Sequence, residues 1–171
     1  MKFDNTKVAM DLWANSVVLD AKRNLVQSQK ISSGELLDSI QSTGVKFGTN
    51  SMEINISMAY YGAFVDAGVS GTKTAYTTPY SYKNKMPPPS ALDKWIVRKN
   101  IAPRDEKGKF QSRKSIQFAI ARSIFLYGFK PTYFLRNAVS KNVSRLPQQI
   151  KEAFALDIDS AISLIVKSNF K

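Results

Sequence analysis

The sequence predicts an α+β fold: a small antiparallel sheet packed by a long N-terminal helix and by C-terminal helices, interrupted by a long loop and a helical insertion. Three observations lead there. Apolar residues recur at helical spacing from Asp4 to about Lys30, strict alternation runs through Met52-Glu53-Ile54-Asn55-Ile56-Ser57-Met58, and helical spacing returns from Ser115 to Tyr127 and again after Pro147.

Asn5 or Thr6 can cap the first helix, which places Val8, Leu12, Val17, Ala21 and Leu25 near one stripe and Asp4, Lys7, Asp11, Asp20, Lys22 and Arg23 largely off it. Trp13 widens its apolar face. A helix of this length with a partial stripe packs along a sheet, and its uncovered portion commonly meets a neighbouring subunit. Ser32 with Glu35 forms a capping-box pattern that starts a short helix through Leu36, Leu37 and Ile40, and Gly34 permits a tight turn before it. Gln41 to Phe47 reads as extended, with Val45 and Phe47 on one face. Gly48-Thr49-Asn50-Ser51 supplies the turn chemistry of a hairpin whose second arm is the alternating segment. Ala59 to Ala67 is too densely apolar for alternation and reads as a short helix or irregular segment closed by Gly68.

Residues 68 to 90 hold Gly68, Gly71, Pro79, Pro87, Pro88 and Pro89, the composition of a long loop. Loops of this length inside a compact domain usually reach a partner. Tyr76, Tyr80 and Tyr82 suit that purpose, because tyrosine offers large contact area with one polar end. Ser90 can cap a helix through Leu92, Trp95 and Ile96 that ends near Asn100. Ile101 to Lys114, with Asp105 and Glu106 against five basic residues, reads as a solvated excursion or flexible hairpin. From Ser115 to Tyr127 one helical face carries Ile116, Ile120, Ile124 and Tyr127 and another carries Phe118, Ala121 and Phe125, so cover on both sides is expected; Gly128 ends it. Pro131 imposes an extended stretch from Thr132 to Leu135. Pro147 fits the first turn of a last helix beginning near Gln148, striped by Ile150, Phe154, Ile158, Ala161 and Ile165.

At 171 residues one domain is expected, spanning residues 1–171 with an insertion over about 68–114 and a C-terminal helical extension over about 141–171. The chain has neither cysteine nor histidine, which removes disulfides, thiolate metal sites, the commonest zinc ligands and the Ser-His and Cys-His nucleophile arrangements. No Gly-x-x-x-x-Gly-Lys phosphate loop and no serine-nucleophile elbow is present. Glu53, Asp66 and Asp93 leave carboxylate-only chemistry formally open without a recognisable partner for any of them. Asp157-x-Asp159 falls about 200° apart on a helix and reads as a solvated face rather than a metal pair. Neither catalysis nor a cofactor is therefore expected.

Asp4 and Asp11 interrupt the N-terminal segment, which argues against a secretory signal. The two most apolar stretches contain Arg122 and the pair Asp157 and Asp159, so neither suits a bilayer and no membrane partner is expected. A net charge of +12 favours contact with a polyanion, nucleic acid or an acidic protein surface. The candidate contacts are Lys94, Arg98, Lys99, Arg104, Lys107, Lys109, Arg113 and Lys114. Lacking a sequence-reading motif, they would touch phosphates without sequence preference.

The ordered series Ser33-Gly34-Glu35-Leu36-Leu37-Asp38-Ser39-Ile40, then Tyr60-Tyr61-Gly62-Ala63-Phe64-Val65-Asp66-Ala67-Gly68, then Gly128-Phe129-Lys130-Pro131-Thr132-Tyr133-Phe134-Leu135 resembles the neck and tail-completion proteins of tailed bacteriophages, the small head-to-tail joining family. The likeness spans about residues 15 to 140. The family's usual Thr-Gly stands here as Ser33-Gly34, and its usual Glu before the glycine stands as Asp66-Ala67-Gly68; the helix beyond Ser140 is longer than in a minimal member. The resemblance implies a virion neck or tail subunit, made in the host cytoplasm, that closes with copies of itself into a six-fold or twelve-fold ring between portal or adaptor and tail proteins, around non-specifically contacted double-stranded DNA. Cyclic closure needs two different complementary faces. The long helix with Trp13 on one side and the loop with Tyr76, Tyr80 and Tyr82 on the other are the candidate subunit contacts. The alternative is a sequence-independent DNA-binding protein that uses the basic insertion.

Overall fold

A computed structural model describes residues 3–49, 51–104 and 106–169, with side chains to residue 164. Asn50 of the expected turn, Asp105 of the expected excursion and the Ile165 side chain lie outside the described residues. The fold is α+β. In chain order its elements are α1 (Asp4–Gln27), α2 (Glu35–Ser39), β1 (Gln41–Phe47), β2 (Met52–Ser57), α3 (Gly62–Ala67), β3 (Val69–Ser70), a 3-10 turn (Pro89–Leu92), α4 (Asp93–Arg98), α5 (Arg113–Tyr127), β4 (Gly128–Phe129), α6 (Phe134–Val143) and α7 (Leu146–Asn169). They form two compact units, the first from Met1–Gln27, Leu37–Ala59 and Phe134–Lys171 and the second from Ser28–Leu36 and Tyr60–Tyr133.

In the first unit the hairpin β1–β2, α6 and α7 all pack on α1. The buried stripe of α1 is Thr6, Met10, Ala14, Val17, Ala21 and Leu25, at steps of three and four. Ala14, Ala21 and Ala138 of α6 are wholly buried, and their small side chains allow the two helices a close approach around fully buried Phe134. Phe134 opens α6, so the stretch expected to be extended through Leu135 turns helical there. Val8 and Leu12, expected in the α1 stripe, are instead more than half exposed. Met10 and Ala14 take the inward positions because they continue the phase set by Val17, Ala21 and Leu25. The hairpin pairs Gln41 with Ser57 and Phe47 with Met52, with a bulge between Ser42 and Val45 at Gly44 (φ 76°). That bulge frees the Val45 N–H to donate to Asp11 Oδ1 at 3.2 Å. Along β2 the expected alternation holds as far as Ile56, with Met52, Ile54 and Ile56 half-buried and Glu53 and Asn55 exposed, and breaks at Ser57, which is half-buried instead of wet.

The start of α1 is capped by α7 rather than by Asn5 or Thr6. The Asp157 carboxylate accepts from the Asn5 N–H (3.0 Å), the Asn5 side-chain amide (2.9 Å), the Thr6 N–H (2.9 Å) and the Thr6 hydroxyl (2.7 Å). Asp157 is therefore buried and not the solvated residue its sequence context suggested, whereas Asp159 is exposed. Burial pushes the Asp157 pKa up, yet the four donors outweigh burial and hold the carboxyl below its ordinary value. A second buried carboxylate, Asp20, accepts from Asn142 Nδ2 (3.0 Å), with Lys141 at 3.0 Å and Arg23 at 2.8 Å, and is likewise held low, chiefly by Asn142.

In the second unit β3 and β4 form a two-residue antiparallel ladder, Val69 with Phe129 and Ser70 with Gly128. Gly128, at φ 68°, ends α5 and donates to the Ile124 carbonyl; a β-carbon there would overlap the Val69 carbonyl oxygen. Gly68 (φ 74°) closes α3 as expected, by donating to the Phe64 carbonyl. The Thr132 and Tyr133 N–H groups then satisfy the Val65 and Asp66 carbonyls. Ser90 does not cap: it lies inside the 3-10 turn, which follows extended Pro88. Helix α5 starts two residues earlier than expected because Ser112 accepts the Ser115 N–H at 3.2 Å. Both expected faces are partly covered: Ile116 is buried and Ile120 and Ile124 half-buried on one, Ala121 is buried and Phe125 half-buried on the other, while Phe118 and Tyr127 stay about half exposed.

Candidate functional site

The loop after β3 is tied down by one serine. Ser70 exchanges backbone hydrogen bonds with Tyr80 and Tyr82 (both 2.9 Å), pairing in parallel with Ser81, and its hydroxyl oxygen accepts the Tyr76 N–H at 2.9 Å. At the other end of the loop the Thr72 and Lys73 N–H groups donate to the Phe125 and Leu126 carbonyls, so the last turn of α5 is satisfied by the loop that follows β3. This bonding explains how an irregular segment presents aromatic rings in fixed places.

Those rings wall a cleft of about 1100 Å³ within the second unit. Val69 and Phe129 of the short ladder and Ile120 and Ile124 of α5 line it, with Phe64 and Val65 of α3, Tyr80 and Tyr82 of the loop, and Leu92 and Trp95 of the insertion. Tyr80 meets Phe64 edge-on at 4.6 Å between ring centres, and Tyr82 makes edge contacts with Phe125 (6.3 Å) and Phe129 (6.5 Å). Lys30, Lys83 and Lys130, from three separate segments, also line it; among the described residues no carboxylate does. Burial pushes the Tyr82 hydroxyl up, and burial with the nearby charge of Glu35 and with Tyr60 does the same for Tyr61. Both hydroxyls remain hydrogen-bond donors through neutral pH. The cleft is therefore mainly apolar and aromatic, with lysines and no carboxylate among its described lining residues.

Of the expected subunit contacts, Tyr80 and Tyr82 line this cleft and Tyr76 is half-buried beside Ser70. Trp13 lies in the first unit, half-buried, its indole N–H donating to the Asn142 carbonyl at 3.0 Å. The expected basic contacts all belong to the second unit and all are exposed. Lys94 and Arg98 sit on α4, Lys99 at its end reaches the Ile31 carbonyl at 3.0 Å, and Arg113 and Lys114 open α5, where Arg113 faces Asp93 at 3.6 Å. Arg104, Lys107 and Lys109 belong to an exposed clip closed by an antiparallel bridge, the hairpin form of the two expected. Arg104 bridges to Phe110, donates to the Gly108 carbonyl at 2.8 Å and lays its guanidinium 3.8 Å over the Phe110 ring.

Sequence reasoning named the long helix as a subunit contact but put Val8 and Leu12 in its stripe with Val17, Ala21 and Leu25; they belong instead to a further surface, the outer side of α1. Val8, Leu12, Leu19 and Val26 are 51–63% exposed. Their steps of four, seven and seven form one seam opposite the buried stripe, bordered by the polar side chains of Asn15 and Lys22. The signal was present as apolar residues on two opposite sides of one helix. Among the described residues no helix is long and apolar enough to cross a membrane. No family model, no curated protein and no solved structure matches the chain.

Proposed function

We propose that the chain is a structural subunit of a tailed-phage neck or tail, which closes with copies of itself into a ring joining portal or adaptor to tail around the DNA exit channel. The observation that carries this reading is the outer seam of α1. A helix whose inner face already holds a core gains nothing from apolar residues opposite, unless another chain covers them, and a row of exposed apolar side chains marks an interface. The aromatic cleft is a second and different apolar surface, and a ring requires two unlike faces. The exposed basic residues of the insertion supply sequence-independent phosphate contact for DNA passing through such a ring.

Light scattering on the full chain tests the proposal. Assembly to a discrete multimer that falls apart in Leu12→Glu/Leu19→Glu, with unchanged helix content, supports it. A monomer whose affinity for duplex DNA is high and falls steeply with salt, and weakens on charge removal at Arg104, Lys107 and Lys109, replaces it with the DNA-binding reading.

A further inference from the structure

We infer that the aromatic cleft of one copy receives α7 of the next, so that the C-terminal helix is the inserting half of the ring contact; this rests on the ring reading. Three features of the chain select that occupant. The cleft is lined mainly by apolar and aromatic side chains and by Lys30, Lys83 and Lys130, with no acid among its described lining residues, which disfavours most of this +12 chain as a guest. Residues 152–164 of α7 hold Glu152, Asp157 and Asp159 and no lysine or arginine; residues 31–45 and 47–72 also hold two acids each and no basic residue, but they form the hairpin and the short helices α2 and α3 rather than a helix with a free apolar stripe. The exposed seam of α1 offers no such complement, because Asp4, Asp11 and Asp20 are balanced by Lys7, Lys22 and Arg23.

Second, the face that α7 leaves uncovered has the right form. Ala153 and Asp157 turn toward α1 and are buried, while Phe154, Ile158 and Ile162 are 36–53% exposed. These three stand at i, i+4 and i+8, a stripe about 12 Å long, the usual anchor pattern of a helix laid in a groove. Phe154 is already oriented by stacking on Phe3, with ring centres 5.9 Å apart. Third, Glu152 and Asp159 are both exposed and sit seven residues apart along one side of that stripe. Phe154, Ile158 and Ile162 would meet the aromatic lining, and Glu152 and Asp159 would meet the lysines. Asp157 stays with α1 and takes no part.

The test uses a peptide of residues 152–164, blocked at both ends, titrated against the full chain carrying Trp13→Phe, which leaves Trp95 of the cleft as the sole indole. Saturable change in Trp95 emission is expected. Lys83→Glu/Lys130→Glu in the protein weakens binding about tenfold, the combined effect of two partly exposed ion pairs, and a peptide with Glu152→Lys/Asp159→Lys regains it on the reversed cleft. Calorimetric titration of the unsubstituted chain gives the same answer if loss of the Trp13 hydrogen bond disturbs folding. No saturable binding, or equal binding to native and reversed clefts, overturns the inference. Light scattering separates the two readings: rings that persist when the cleft is reversed keep the ring and remove this contact. A chain that binds the peptide but never assembles keeps the contact and removes the ring.

Discussion

Asp157 concentrates most of what a single residue does in the first unit. It closes the exposed N–H groups of α1 from a position 152 residues away in the chain and shields the buried Thr6 hydroxyl. Asp157→Ala is expected to lower the melting temperature by several degrees, more than Asp159→Ala at an exposed site. The pH dependence has a definite sign. Because its pKa in the folded protein lies below the ordinary 3.8, Asp157 contributes stability that is complete above that value and is lost as pH falls below it. The stability difference between native protein and Asp157→Asn should thus be constant near neutrality and shrink below pH 3.8, as read by chemical unfolding at each pH. A constant difference down to acid denaturation would show that the carboxylate is not the cap. Phe134, wholly buried between α1 and its own helix, is the clearest packing case, and Phe134→Ala should cost about 3–5 kcal/mol in urea unfolding. Asp157 was illegible in the sequence because nothing local distinguishes an acid on a solvated helix from one that caps another helix. Phe134 lay in a segment that Pro131 made read as extended.

Among the elements, those governed by short-range chemistry were the legible ones. The β2 alternation, the span of α1, the glycine closures at Gly68 and Gly128 and the place of Pro147 in the first turn of α7 all follow from neighbours within one or two turns. The inner face of α1 did not, because apolar residues occupy two opposite sides of that helix and only the tertiary partners α6 and α7 decide which side is inward. The loop after β3 was legible as a loop and as a carrier of tyrosines, yet not as a braced one; its order depends on Ser70 and on the last carbonyls of α5. Gly128 tests that architecture at a defined atom. Gly128→Ala adds a β-carbon against the Val69 carbonyl at a positive φ, and should destabilise by about 1–3 kcal/mol while reducing amide protection at Val69 and Ser70. Unchanged protection there would mean that the short ladder does not support the cleft.

At the scale of the whole molecule, three uncovered apolar surfaces stand on one small basic protein: the outer seam of α1, the free stripe of α7 and the aromatic cleft. Each is composed differently. The seam is apolar with balanced charge around it, the α7 stripe is bordered by acids, and the cleft is bordered by lysines. An acidic stripe does not match itself, so a contact made through it needs an unlike surface on the neighbouring copy. Composition made the charge legible, but not the pairing of charge with apolar shape, which needs Lys30, Lys83 and Lys130 brought to one cleft from distant segments. The most direct test of the joining role is electron microscopy of particles that contain this chain. The ring reading predicts a closed cyclic assembly of copies around a DNA-bearing axis, with basic residues of the insertion facing the lumen. A chain found as isolated subunits, or absent from any axial ring, would contradict it.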